Sequence, residues 1–202
     1  MQQLPEPLKA VVDQLAQLPG LGPKSALRAA LAILKWPMPR AAAMGQSILD
    51  LREKLFFCEK CASLSDCNPC RICSDPARSD DQLMVVAEWD SLITIEDGGF
   101  YRGRYLVLGG LLAPLDNVGS QQLEIGRFRQ RLAEGRVSEV ILALGTTLDA
   151  EATATFIRDM VERQYPGVRV SRLAQGIPLG SEVKYIDRET LRQSLEYRQK
   201  LA

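Results

Sequence analysis

The chain has 202 residues, 25 Lys/Arg against 25 Asp/Glu, no histidine and 46 % apolar residues. That apolar fraction supports a packed core and argues against global disorder, which needs low hydrophobicity and high net charge. The zero net charge argues against a general nucleic-acid coat, and the missing imidazole excludes histidine-based catalysis and leaves thiolates or carboxylates as metal ligands. The balance is uneven, however. Residues 1–57 carry seven basic and four acidic residues and the remainder 18 and 21, so a polyanion should prefer the N-terminal third. The chain opens Met1-Gln2-Gln3-Leu4-Pro5, with no basic stretch leading into an apolar signal-peptide core. No apolar run reaches membrane-spanning length. A soluble, cytoplasmic protein without a membrane partner is expected, and in that reducing compartment clustered cysteines more often bind metal than pair as disulfides.

Residues 5–17 place Leu8, Val11, Val12 and Leu15 at helical spacing. Leu18-Pro19-Gly20-Leu21-Gly22-Pro23 then breaks the chain, and a second helix is predicted from Pro23 to Trp36, where Pro37 and Pro39 stop it. The joint between the two helices reads as a helix-hairpin-helix. Glycines let the backbone approach another chain, and the helix N-terminus offers unpaired N–H groups to a phosphate. Lys24 and Arg28, four residues apart, share one face beside that seat. Such a hairpin grips DNA backbone without reading bases; an ordinary helix–helix turn is the bland alternative. It is neither a P-loop nor a dinucleotide fingerprint, because the required order of Gly and Lys is absent and no strand precedes it. A third helix is predicted over 40–55.

All five cysteines fall within residues 56–76. Cys58-x2-Cys61 and Cys70-x2-Cys73 form two knuckles that suit tetrahedral sulfur coordination of a structural zinc ion. Cys67-x2-Cys70 is also a knuckle, so the second pair is either 70/73, the expected choice, or 67/70. Cys67, Cys70 and Cys73 faintly echo iron–sulfur spacing, but a fourth cysteine is missing there. Lys60 and Arg71 lie beside the thiolates in sequence and are expected to offset their charge.

From residue 82 the pattern alternates. Strands are predicted at 83–87, 105–108, 137–144 and 168–173, and helices at 89–97, 120–134 and 149–165. This is the signature of parallel βαβ units with both sheet faces covered. A loop at 176–180 and a helix over 187–200 end the chain. Asp149 and Glu151 follow the third strand of this region, where acids can hold a divalent ion in an open α/β sheet. They equally suit the first turn of the next helix, where negative charge is favourable.

The hairpin Leu18-Pro-Gly-Leu-Gly-Pro-Lys-Ser-Ala26, the double cysteine knuckle, the α/β region and the tail Gly176-Ile-Pro-Leu-Gly180 occur in the order seen in the bacterial RecR recombination mediators, which the whole chain resembles. The resemblance implies a mixed α+β and α/β, multi-part fold. Its parts are a helix-hairpin-helix region at 1–55, a zinc finger at 56–78, a Toprim-like parallel α/β domain at 79–175 and a C-terminal strand–helix tail at 176–202. It implies a non-enzymatic DNA clamp in recombinational repair, built as a ring-like homotetramer. Such a clamp works with RecO-type and RecF-type partners to load the RecA recombinase on gapped DNA. Lys24 and Arg28 match the family's DNA-contact face, and Asp149 and Glu151 match the Toprim acidic pair, associated here with partner contact. Toprim enzymes carry Glu at the end of the first strand, where this chain has Ala87, with Glu88 one residue late. Leu111 and Gln175 stand where the family's pattern has histidines, and Gly145-Thr146 where it has Asn-Pro. The rival reading is a magnesium-dependent nuclease or primase using Glu88, Asp149 and Glu151. A third is a protein-binding adaptor whose hairpin serves self-assembly.

Overall fold

The computed structural model describes residues 4–113, 118–198 and 200. The chain divides into two compact units, Met1–Leu55 and Phe56–Ala202.

The first unit is helical: α1 (Glu6–Leu15), α2 (Pro23–Leu34) and α3 (Met38–Lys54). Its core is small, with Val12 of α1 against Ala26 and Ala30 of α2, bordered by Leu8, Leu15 and Leu27. Alanines on α2 let the two helices approach closely. Pro39 does not stop a helix as predicted; it sits in the first turn of α3, where a missing N–H costs nothing. No described residue of α3 is buried, and even the apolar Ile48 and Leu51 are 60 % and 61 % exposed.

The second unit begins with a two-residue antiparallel pair, β1 (Phe56–Phe57) and β2 (Leu64–Ser65), and a single helical turn, α4 (Arg71–Ser74). The α/β body follows as β3 (Gln82–Val86), α5 (Trp89–Asp97), β4 (Arg104–Val107), α6 (Ile125–Ala133), β5 (Glu139–Ala143), α7 (Leu148–Gln164) and β6 (Arg169–Arg172). A 3-10 turn (Val183–Tyr185) and α8 (Arg188–Glu196) complete it. The strands form one parallel sheet in the order β4-β3-β5-β6.

Successive side chains of β3 serve opposite faces. Leu83 and Val85 join Leu106, Val140, Phe128 of α6 and Ile157 of α7 in one core; Met84 and Val86 join Tyr105, Val107 and Leu92 of α5 in the other. Both faces are therefore covered, as the continuous apolar runs require. Full burial of each such side chain contributes roughly 1.5–3 kcal/mol.

Helix α6 starts at Ile125, five residues later than the predicted 120. The Glu124 amide donates to the Leu108 carbonyl at 2.9 Å, which holds the preceding segment in turns. The last helix ends at Glu196; of its predicted range, residue 199 lies outside the described residues. So do residues 114–117. Among the described residues no helix is long and apolar enough to cross a membrane.

Candidate metal centre and nucleic-acid face

The cysteine knuckles converge. The sulfurs of Cys58, Cys61, Cys70 and Cys73 all lie within 4.8 Å of one another. Cys61 Sγ and Cys70 Sγ are 3.6 Å apart. Four sulfurs at bonding distance from one tetrahedral ion would stand about 3.8 Å apart, whereas a disulfide needs about 2.05 Å. The donor set therefore fits a single metal ion and not a cross-link. Cys67 is outside it: half-buried, with its sulfur 3.6 Å from Ser65 Oγ.

Local backbone makes the knuckles. The Ala62 amide donates to the Cys58 carbonyl at 2.9 Å, and the Cys58 amide to the Ser63 carbonyl at 2.8 Å. Closing this turn puts Ala62 at φ 58°, a left-handed conformation that costs roughly 1–2 kcal/mol outside glycine. The Cys70 amide donates to Cys58 Sγ at 3.3 Å and the Cys73 amide to Cys70 Sγ at 3.4 Å. These bonds favour thiolates. Hydrogen bonding to Cys70 and burial hold the Cys61 thiol up at about 12, and Cys61 and Cys70 push Cys73 up as well. Cys70 is held down by the thiols of Cys61 and Cys73. Cys61, Cys70 and Cys73 thus share protons until a cation replaces them.

The body of the unit grips both knuckles. The Val107 amide donates to the Cys61 carbonyl at 2.8 Å. Arg127 Nη1 donates to the Cys58 carbonyl and Arg104 Nη1 to the Ile72 carbonyl, each at 2.5 Å. Arg104 is 7 % exposed overall, and its Nε also bonds Asp80 at 2.7 Å. Sequence reasoning missed both arginines, because nothing local marks a buried arginine that serves a carbonyl distant in the chain. Arg71, expected to offset the thiolates, instead pairs with Asp66 at 3.2 Å and is 84 % exposed. Lys60 does line a cleft shared with Cys73.

In the helical unit, Leu21 N donates to the Leu18 carbonyl at 3.1 Å and Gly20 takes φ 78°, open only to glycine without strain. Gly22 caps α2 in an extended conformation, with Pro23 in the first turn and, among the described residues, no side-chain cap on the leading N–H groups. Lys24 and Arg28 lie on that turn and the next, both exposed, while Ala26 between them is fully buried. The two cations therefore share the outer face, beside free donors.

At the C-terminal end of the sheet, Ala87 packs on the core and Glu88 is the N-cap of α5. Glu88 Oε1 lies 3.9 Å from where a Gly110 Cβ would stand. Thr147 caps α7, its Oγ1 accepting from the Ala150 amide at 3.2 Å, so Asp149 and Glu151 occupy the first turn. Glu151 is engaged: Arg172 Nη2 and Nη1 reach its two oxygens at 2.6 and 3.1 Å. Leu111 packs against the core, and the Leu112 amide donates to the buried Thr153 Oγ1 at 2.9 Å. Gln175 lines a cavity of about 520 Å3 with Glu151, Arg172 and residues of α8.

Comparison with known proteins adds the last observation. Three family models match successive parts of the chain: RecR, helix-hairpin-helix over residues 8–51; Toprim domain over 81–174; and RecR, C-terminal over 176–199. The chain is 63 % identical to the recombination protein RecR of Nitratidesulfovibrio vulgaris and 65 % identical to that of Maridesulfovibrio salexigens, each over the full length of both proteins. It is 40 % identical to that of Myxococcus xanthus, over 98 % of this chain and 99 % of that protein. With its hairpin, four-cysteine cluster and parallel α/β body in the same order, the chain belongs to the RecR family of recombination proteins.

Proposed function

We propose that the chain is a non-enzymatic DNA clamp in recombinational repair, folded around one structural zinc ion and assembled as a homotetrameric ring. The observation that carries this reading is the pair Lys24 and Arg28, exposed one turn apart beside the uncapped N-terminus of α2. Two cations and free N–H groups on one face suit phosphates and read no base. A ring explains how a chain of zero net charge holds DNA, since assembly multiplies a few cations per copy. The exposed apolar residues of α3 support self-association.

Cys58, Cys61, Cys70 and Cys73 would hold the zinc. Four thiolates select a soft tetrahedral ion, and a closed four-ligand site is structural. The ion supplies cross-linking and charge neutralisation. Two features support the non-enzymatic reading: Ala87 stands where Toprim enzymes carry Glu, and Glu151 is held by Arg172. Asp149 and Glu151, with the 89 % exposed Leu148 beside them, are proposed as the contact for RecO-type and RecF-type mediators that load RecA on gapped DNA.

Binding of labelled single-stranded and duplex DNA of several sequences, at rising salt, tests the clamp. Sequence-independent binding that weakens steeply with salt is expected. No binding at low salt would leave a protein-binding adaptor instead.

A further inference from the structure

A cleft of about 350 Å3 in the α/β unit opens beside Cys73. Lys60, Arg104, Arg131 and Arg136 line it against only Asp80 and Glu134, an excess of two positive charges. These cations come from three places: the finger, the edge strand β4, and α6 with the turn that follows it. Arg104 is spent on Asp80 and the Ile72 carbonyl. Arg131 meets Glu134 at 3.1 Å, with its side chain only 11 % exposed. Arg136 reaches Asp80 at 3.4 Å, and its side chain is 69 % exposed. Lys60, one residue from Cys61, is exposed.

The charge of the adjoining metal centre, which shares Cys73, matches. A divalent ion held by four thiolates leaves two negative charges, and burial raises the cost of leaving them uncompensated. The finger's own Arg71 turns away to Asp66. We propose that this cleft is the counter-charge of the metal centre, in which Lys60, Arg131 and Arg136 strengthen metal binding by offsetting the thiolate charge. The inference rests on the zinc reading of the four cysteines. It makes metal affinity a property of the whole α/β unit, because α6 lies more than 50 residues beyond the last ligand. A free anion is the poorer occupant, since the thiolate charge already claims the cleft's positive excess.

Competition with a chromophoric chelator at fixed neutral pH gives the zinc affinity of the full chain. Wild type binding no zinc would remove the underlying metal reading before any variant is made. Given zinc binding, Lys60→Gln with Arg136→Gln, both at exposed positions, should bind about tenfold more weakly at low salt. The difference should shrink near 1 M salt, where the Debye length falls to about 3 Å. Charge reversal, Lys60→Glu with Arg136→Glu, should cost about a hundredfold. Arg158→Gln with Arg163→Gln removes the same charge from exposed positions of α7 and should stay within twofold. Circular dichroism of each zinc-loaded variant checks the fold. Zinc affinity of the cleft variants within twofold of wild type, or a loss equal to that of the α7 control, would overturn the proposal. Unchanged zinc affinity with weaker binding of inorganic phosphate would do so too, and would reassign the cleft to an anion.

Discussion

The carbonyl of Cys61 accepts the amide of Val107 at 2.8 Å. One residue belongs to a metal knuckle and the other ends β4, the edge strand of the sheet. An unpaired strand edge invites pairing with another chain, and the knuckle occupies the end of this one at Val107. The metal site is therefore joined to the sheet by backbone, reinforced by Arg104 and Arg127 donating to the knuckles' carbonyls. Removing zinc with a chelator should expose the Val107 amide to hydrogen exchange along with the finger, while Val140, in the sheet interior, stays protected. Unchanged protection at Val107 would show that the knuckle holds its place without metal.

The ligand set gives a second prediction. Cys73→Ser should lose zinc and unfold the finger, because ion binding supplies much of its folding free energy, about 10 kcal/mol or more in isolated fingers. Cys67→Ser should keep one zinc per chain, since its sulfur faces Ser65 and stands outside the cluster. Metal analysis of the two purified proteins decides, and the reverse result would move the site to the other knuckle.

The acidic end of the sheet gives a third. With labelled DNA and magnesium, the protein should neither cleave nor synthesise. Arg172→Ala releases Glu151 from its bidentate partner but should not create activity, because Ala87 leaves the third carboxylate missing. Cleavage by the wild type that Asp149→Asn abolishes would establish the enzyme instead.

Glu139 gives a fourth. It accepts from Ser171 Oγ at 2.7 Å, Arg169 Nη2 at 3.1 Å and Gln82 Nε2 at 3.2 Å, tying β5 to both neighbouring strands. The Ser171 bond, then Arg169 and Gln82, hold its carboxyl below its usual 4.5. A lowered folded-state value stabilises the fold above the unfolded value and loses that stabilisation as pH falls through the folded one. Glu139→Gln should thus cost about 1–2 kcal/mol at neutral pH. The gap in melting temperature between the two proteins should close as pH drops below 4.5. Comparing them at each pH cancels acid loss of the metal, common to both. A gap independent of pH would show that the charge is not what matters.

The sequence was legible where physics is local. The apolar runs at 83–87 and 137–144 gave the strands, and alternation with helical stretches gave the parallel sheet. The residues 89–97 predicted as a helix are the span of α5. Glycines and Pro23 marked the hairpin. The cysteine spacing marked a metal site, but the preference for Cys73 over Cys67 is fixed by folding: Ser65 takes Cys67 aside, and the Cys73 amide bonds Cys70 Sγ. The late start of α6 was hidden because Glu124 answers to Leu108, a partner 16 residues away. Arg104, Arg127 and Arg172 were hidden for the same reason. Each looks like a surface cation in sequence, and its role is set by an acceptor that only the fold brings near.

The central claim, that the outer face of α2 holds DNA by its phosphates, is tested most directly by DNA affinity across a salt titration for wild type and Lys24→Ala/Arg28→Ala. The variant should bind every sequence at least about tenfold more weakly at low salt, and its log-affinity should fall less steeply with log-salt, by about one for each cation withdrawn from a phosphate. Equal affinity and equal slope in the two proteins would contradict the account.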